Sequence, residues 1–318
     1  MSEFCLRDKV FAKTDNSVKK ISLNYTYGLL FIFIVTIFLY LIFGYQKEAI
    51  DLIKNFSLSI LTLSIATYII NIIKKKTSLS AIYKNNNLLS LSLIISLFSN
   101  NIPYYIVIIA SLLVVITKLI NPQRNLSSSL YGILLIVLYK ETTTYYVYQD
   151  MHSLKLIDYL VNPLFINPLL SLITFIYLFH KKSIKYNLVF GYFITFFLAI
   201  FLYTIINKGD IPGIFIEMII NSSIFFSVYT LTDYEMTPST LESSLIYGII
   251  TGILSFILYV FYPKLSVIVP LLIAPLILTK YLDKISPKLK YEKKFYNLFL
   301  TILLLIIVIS NMILIVII

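Results

Sequence analysis

Long apolar runs separated by short polar segments cover most of the chain. About 20 apolar residues suffice for one helix across a bilayer, so the pattern predicts an all-α polytopic integral membrane protein with about 11 transmembrane helices. The shortest run, Leu88–Ser99, is joined to Ile102–Ile120 by a predicted tight turn, and it either crosses the bilayer or is re-entrant. The predicted spans are about Tyr25–Gly44, Phe56–Ile73, Leu88–Ser99, Ile102–Ile120, Leu126–Tyr146, Leu160–Phe179, Asn187–Ile206, Ile211–Leu231, Ser243–Tyr262, Leu265–Leu282 and Phe295–Ile318.

The positive charges fall mainly on one side of these spans. With the N-terminus in the cytoplasm, 20 of the 26 Lys and Arg residues lie in cytoplasmic segments. Cytoplasmic loops of membrane proteins are enriched in Lys and Arg. The pattern therefore predicts a multi-pass protein of the cell membrane, with its N-terminus in the cytoplasm and its C-terminus outside. The six residues on the other side are Lys47, Lys54, Lys140, Lys155, Lys208 and Lys264.

The amino-acid composition excludes several classes of protein function. Hydrophobic residues make up 59% of the chain and charged residues 13%, which leaves no room for a soluble catalytic domain. With one cysteine, Cys5, and two histidines predicted on opposite sides of the membrane, we expect no metal site within the chain. No phosphate-binding Gly-rich loop, Ser/His/Asp arrangement or DNA-binding pattern occurs, so we predict no catalytic residue and no nucleic-acid partner.

Acidic residues mark two places that depart from this pattern. Glu217 lies inside the predicted eighth span, where a charged side chain costs about 2.5–3.5 kcal/mol to insert and often marks an ion path. Alternatively, Glu217 lies near enough to the outer surface to be solvated. The following loop, 232–242, is predicted to be cytoplasmic but has three acids and no base. This loop is either a solvated turn that caps the next helix or a functional segment in which Glu235 is a second ion-path candidate.

Two Asn-Pro doublets, Asn162-Pro163 and Asn167-Pro168, begin the predicted sixth span. Proline removes a backbone donor and clashes with the preceding turn, so two prolines five residues apart would free backbone carbonyls. Such carbonyls either line a cofactor or ion cavity or mark a kinked start of the helix.

The segment 225–240 resembles the RnfD/NqrB family, the membrane subunits of Rnf-type electron transport complexes and of sodium-translocating NADH:quinone oxidoreductase. The family pattern has paired Phe, then Ala-Thr-Asp-Pro, two variable residues and Ser-Pro-Thr-Thr. Here Phe225-Phe226 precede Leu231-Thr-Asp-Tyr and Met236-Thr-Pro-Ser-Thr. The helix pair Leu88–Ile120 followed by Asn121-Pro122, and the segment Leu271–Asp283, are also similar to the family in order and hydropathy.

The resemblance implies a flavin. Family members carry FMN linked to the threonine of a Ser-Gly-Ala-Thr motif after the fifth helix, and here Glu141-Thr142-Thr143 precede the aligned Thr144. Riboflavin is a second cofactor implied by the same resemblance. The cofactor-binding candidates on this basis are Thr144, Thr232, Asp233, Thr237 and Thr240.

The family fold implied is two related five-helix halves, to which the chain adds an extra C-terminal helix. We expect a cytoplasmic N-terminal segment (1–24), a ten-helix membrane domain (25–285), and a basic linker with the extra helix (286–318). The leading hypothesis is a membrane subunit of an ion-translocating electron transport complex, in contact with other membrane subunits and lipid. The alternatives are a transporter or channel without a redox cofactor, and a non-catalytic assembly subunit.

Overall fold

The computed structural model describes residues 18–73, 87–120, 127–143, 166–206, 222–233, 237–238, 241–262, 265–278 and 282. The long regular elements within these residues are all α-helices, as expected where backbone polar groups must be satisfied inside a membrane. The all-α membrane fold is thereby confirmed. The helices are α1 (Val18–Ile42), α2 (Gln46–Ile73), α3 (Asn87–Phe98), α4 (Tyr104–Ile120), α5 (Ser129–Thr143), α6 (Pro168–His180), α7 (Tyr186–Ile206), α8 (Ser223–Tyr229), α9 (Leu241–Phe261) and α10 (Ile268–Ile277).

Four helices in the described part of the chain are long and apolar enough to cross a bilayer by themselves. Shorter apolar helices, α3 to α6, pack among them. The predicted eleventh span, Phe295–Ile318, lies outside the described residues, and so does the first part of the predicted eighth span. The four long spans are Lys20–Ile42, Gln46–Ile72, Tyr186–Ile206 and Ser243–Phe261.

Helix α2 begins well before the predicted second span. Its apolar run starts at Phe56, but the helix starts at Gln46. Hydropathy misses these first turns because they contain Glu48, Asp51 and Asn55, which recur every three or four residues and so share one side of the helix. That side carries the more buried positions, whereas Ile53 on another side is 46% exposed.

The predicted tight turn between the third and fourth spans is present. Helix α3 has 12 residues, a length of about 18 Å, and ends before Ser99. The chain then reverses through Asn100 and Asn101, where Asn101 has a φ of 57°. Asparagine tolerates this left-handed conformation better than most residues. Ser99 and Asn100 are buried, so the end of α3 lies inside the protein.

The second Asn-Pro doublet starts α6 rather than breaking it. The Asn167 side chain accepts hydrogen bonds from the backbone N–H groups of Leu169 and Leu170, and Pro168 is the first helical residue. Proline is well suited to this position because its missing donor would have no partner there. The predicted sixth span therefore becomes a capped helix that starts at Pro168. The first doublet lies outside the described residues.

Helix α1 packs against α2, α3 and α6. The closest pair is α7 and α9, whose axes approach because glycines lie between them. A Cβ atom on Gly191 would lie 2.7 Å from the carbonyl oxygen of Leu245, and one on Gly248 would overlap the carbonyl of Leu188. Gly248 meets Leu188, and Gly252 further along α9 meets Thr195 further along α7, so the two helices run parallel.

Candidate functional site

A cluster of buried polar residues joins the start of α1 to two loops. The side-chain amide of Asn24 donates to Ser183 Oγ in the α6–α7 turn at 2.7 Å. The next residue, Tyr25, is hydrogen-bonded to Thr232, which follows α8. We call this cluster the polar hub. It consists of Asn24, Tyr25, Ser127, Ser183, Lys185, Thr232, Asp233 and Thr237, all of them buried.

Asp233 connects the hub to α5. Its Oδ2 atom accepts a hydrogen bond from the backbone N–H of Ser127 at 2.8 Å. Ser127 lies in the turn that begins α5, where the first N–H groups have no partner within the helix. A carboxylate at this position satisfies a donor and interacts favourably with the helix dipole. Asp233 therefore caps a helix that lies more than 80 residues before it in sequence.

The Thr232 hydroxyl makes two hydrogen bonds within the protein. It donates to the carbonyl oxygen of Val228, one helical turn earlier. Because that bond uses the threonine proton, the Tyr25 hydroxyl is the donor to Thr232 Oγ1. The Thr232 hydroxyl thus fixes α1 against the end of α8.

Lys185 holds the second part of the α8–α9 segment. Its Nζ atom donates to Thr237 Oγ1 at 2.6 Å and to the carbonyl oxygen of Pro238 at 3.0 Å. The Pro238 carbonyl also accepts from Ser244 Oγ in α9 at 3.1 Å. Lys185 is only 8% exposed, so its charge is placed among protein acceptors. It links the α6–α7 turn to the start of α9.

Three buried polar groups in or beside the hub have no hydrogen-bond partner within the described part of the chain. They are Ser127 Oγ, the Tyr229 hydroxyl and the side-chain amide of Asn187, in which both Nδ2 and Oδ1 are unsatisfied. Asn187 lies two residues after Lys185 and is 1% exposed. An unsatisfied buried polar group costs about 1–3 kcal/mol, so a polar ligand would be stabilising at either group.

Aromatic rings lie between the hub and the end of α3. Tyr25 contacts Tyr229 with ring centroids 5.8 Å apart, and Tyr229 contacts Phe225 at 4.9 Å. Phe226 stacks on Phe98, the last residue of α3, at 5.0 Å. Phe225 and Phe226 are buried. This apolar layer separates the polar hub from the α3–α4 turn.

The structure places three of the predicted site residues together. Thr232, Asp233 and Thr237 belong to the hub, although the hydrogen bonds described above engage them with other groups of the protein. Thr144, Thr240, Glu217 and Glu235 lie outside the described residues. Thr143, which precedes Thr144, ends α5, about 21 Å along the helix axis from Ser129.

Sequence reasoning missed Tyr25, Ser127, Lys185 and Asn187 as parts of this site. Lys185 was counted only as a cytoplasmic charge, and Ser127 carries no signal of its own because its backbone makes the contact with Asp233. Asn187 had one weak signal, since an amide at the start of an otherwise apolar helix is expected to have a partner.

Residues 143–281 match the model of the NQR2, RnfD, RnfE family. This region contains α6 to α10 and the Thr232–Thr240 stretch on which the resemblance was based. The resemblance to RnfD/NqrB is confirmed for this part of the chain, and it supports a membrane subunit of Rnf/Nqr-type complexes. None of the curated proteins compared with the sequence matches it.

Proposed function

Since residues 143–281 are similar to the NQR2, RnfD, RnfE family, we propose that the chain is the flavin-carrying membrane subunit of an ion-translocating electron transport complex. The observation that carries the proposal is the burial of Thr232 and Asp233, the most specific part of the resemblance, at the hub that joins α1, α5, α6 and α8. A segment exposed as a simple solvated turn would not need these contacts.

The hub suits one flavin held without a covalent bond. The imide edge of a flavin ring offers carbonyl acceptors and one N–H donor. Asn187 presents an unsatisfied donor and an unsatisfied acceptor, and Ser127 Oγ presents a hydroxyl. These groups would hold the ring, while Asp233 and Lys185 keep the surrounding segments in place. A flavin supplies reversible one- and two-electron transfer, which the side chains of the protein lack.

A second flavin, FMN attached to Thr144, belongs to the same proposal. It would lie beyond the last residue of α5, Thr143, whereas Asp233 lies at the first turn of this helix. The two flavins would then be separated by about the length of α5. Glu217 and Glu235 remain candidates for the ion path.

The test uses the full chain expressed with its complex. We expect in-gel flavin fluorescence on a denaturing gel, abolished by Thr144→Val and retained by Thr142→Val. Acid extraction is expected to release a second, non-covalent flavin, which Asn187→Leu removes while the fluorescence of the band persists. A complex that transports ions with an electron donor but contains neither flavin would refute the flavin assignment.

The melting temperature of flavin-free protein distinguishes an Asn187 side chain that binds a ligand from one that stabilises the fold. In flavin-free protein, Asn187→Leu is expected to leave the melting temperature unchanged or raise it, because the substitution removes an unsatisfied buried amide. A structural asparagine would behave in the opposite way. If vesicles took up a substrate without an electron donor, and uptake were lost in Glu217→Gln, a transporter without a redox cofactor would replace the proposal.

A further inference from the structure

The turn between α6 and α7 presents consecutive residues of basic type at one end of the bundle. They are His180, Lys181 and Lys182, all of them exposed. The next residue, Ser183, is buried and accepts a hydrogen bond from the Asn24 side chain of α1 at 2.7 Å. Because exposed lysine side chains avoid the hydrocarbon core of a bilayer, the turn lies at a surface of the membrane.

The backbone of this turn is fixed by the end of α6. The N–H of Lys182 donates to the carbonyl oxygen of Phe179 at 2.9 Å, and the N–H of Ser183 donates to that of Leu178 at 2.9 Å. This pair of bonds is the Schellman arrangement, in which the chain leaves a helix through one residue in the left-handed conformation. The backbone from which the exposed lysines extend is therefore well defined.

Lys182 occupies the left-handed position of this turn, with a φ of 52°. Glycine is the usual residue there, because a Cβ atom in this conformation comes close to the backbone carbonyl oxygen. The helix dipole of α6 does not require Lys182, since Lys181 already places a positive charge at the C-cap. A lysine at a position that disfavours any side chain indicates that its ammonium group is used outside the fold.

An exposed apolar face of α6 leads up to the turn. Ile173 and Ile176 are both exposed, and His180 continues the same side of the helix one turn later. Phe179, beside them, is partly exposed and packs edge-to-face on Tyr186 of α7 with ring centroids 5.7 Å apart. The face thus has aliphatic side chains at membrane depth and positive charges at the surface.

We propose that this face of α6 and the α6–α7 turn bind an anionic phospholipid. Its acyl chains lie along Ile173 and Ile176, and its phosphate group is paired with the ammonium groups of Lys181 and Lys182. The order of the features favours a lipid, since aliphatic side chains followed by positive charges match acyl chains followed by a phosphate. Lysines close to the membrane surface attract anionic headgroups in this way.

The proposed lipid site is distinct from the polar hub, although the same turn reaches both. Ser183 and Lys185 are buried and contact Asn24 and Thr237 inside the protein, whereas Lys181 and Lys182 are exposed. Lipid binding therefore requires neither a flavin nor an electron donor. The proposal goes beyond the proposed function and can fail or hold independently of it.

The chain contains no tryptophan, so a single introduced tryptophan reports on one place. Ile176→Trp reports on the proposed site, and Ile65→Trp on α2 is the matched control, because both isoleucines are 57% exposed. The full chain is reconstituted in phosphatidylcholine vesicles that contain a minor fraction of phosphatidylglycerol with brominated acyl chains. We expect at least twofold stronger quenching of Ile176→Trp than with the same fraction of brominated phosphatidylcholine, and equal quenching of Ile65→Trp by the two lipids.

Substitution of the lysines tests the headgroup contact. Lys182→Gly removes the ammonium group and suits the left-handed backbone, so we expect an unchanged or higher melting temperature in uncharged detergent together with weaker phosphatidylglycerol-specific quenching of Ile176→Trp. Combined Lys181→Gln and Lys182→Gln substitutions are expected to abolish this specificity. Lys47→Gln, which changes an exposed lysine of α2, is the control and is expected to preserve it.

Three results would overturn the proposal. The first is equal quenching of Ile176→Trp by the two brominated lipids, or specificity that survives the double lysine substitution. The second is specificity that inorganic phosphate abolishes while chloride of equal ionic strength does not, which would assign the turn to free phosphate. The third is a cross-link from a photoreactive residue at position 176 to another subunit in cells, which would show that a protein covers this face.

Discussion

The Asp233 carboxylate and the Ser127 backbone N–H lie 2.8 Å apart although 106 positions separate the two residues. The contact joins the segment after α8 to the first turn of α5, so the acidic loop is anchored in the bundle. Lys185 anchors the following residues through Thr237 and Pro238. The acidic loop after α8 is therefore anchored at two positions, through Asp233 and through the contacts of Lys185.

Removal of the Asp233 carboxylate is expected to destabilise the start of α5. Asp233→Leu leaves the Ser127 N–H buried without its acceptor, which costs about 1–3 kcal/mol. Asp233→Asn keeps an acceptor oxygen and is expected to retain most of the stability. The melting temperature of the purified chain compares the two variants. Equal losses in both would show that charge, rather than the hydrogen bond, dominates this contact.

Loss of the Lys185 ammonium group is expected to loosen the α8–α9 segment. Lys185→Met removes the donor to Thr237 and Pro238 while it keeps much of the aliphatic volume. We expect faster cleavage after Glu235 by a glutamate-specific protease in native conditions, because local opening becomes less costly. The matched control is Lys181→Met, which changes an exposed lysine of the same turn. Identical cleavage rates in the two variants would contradict the anchoring role.

Gly248 is expected to tolerate no side chain. In Gly248→Ala the new Cβ overlaps the carbonyl oxygen of Leu188, so α7 and α9 must separate. Overpacking of this kind costs about 1–3 kcal/mol, and it should appear as a lower melting temperature in detergent. Ile253→Ala, at a 46% exposed position of the same helix, serves as the control and is expected to have a small effect. A stable Gly248→Ala variant would mean that the two helices separate at little cost.

The orientation of the chain can be tested by cysteine labelling. Cys5 is the single cysteine, and the distribution of Lys and Arg predicts that it lies in the cytoplasm. A membrane-impermeant maleimide is expected to label it only after permeabilisation. In a Cys5→Ser background, Ile318→Cys is expected to be labelled in intact cells. Labelling of both positions in the same compartment would refute the odd number of spans.

Much of the fold follows from local sequence alone. Apolar runs predicted the helices because, in lipid, a long apolar segment is stable when its backbone N–H and C=O groups are hydrogen-bonded within the segment, as in a helix. Asn100-Asn101 and Asn167-Pro168 predicted a turn and a break in the sixth span, and the structure has a reversal and a capped helix start at these positions. The start of α2 at Gln46 was missed since its polar side faces inward.

The sequence by itself determined that the chain is a helical membrane protein and which segment most resembles a known family, because hydropathy and short motifs are properties of neighbouring residues. Only the tertiary structure decided that Asp233 caps α5, that Lys185 holds Thr237, and that Asn55 meets the end of α3. These contacts join residues 44 to 106 positions apart. No local pattern encodes such pairs, since they depend on how the helices pack against one another.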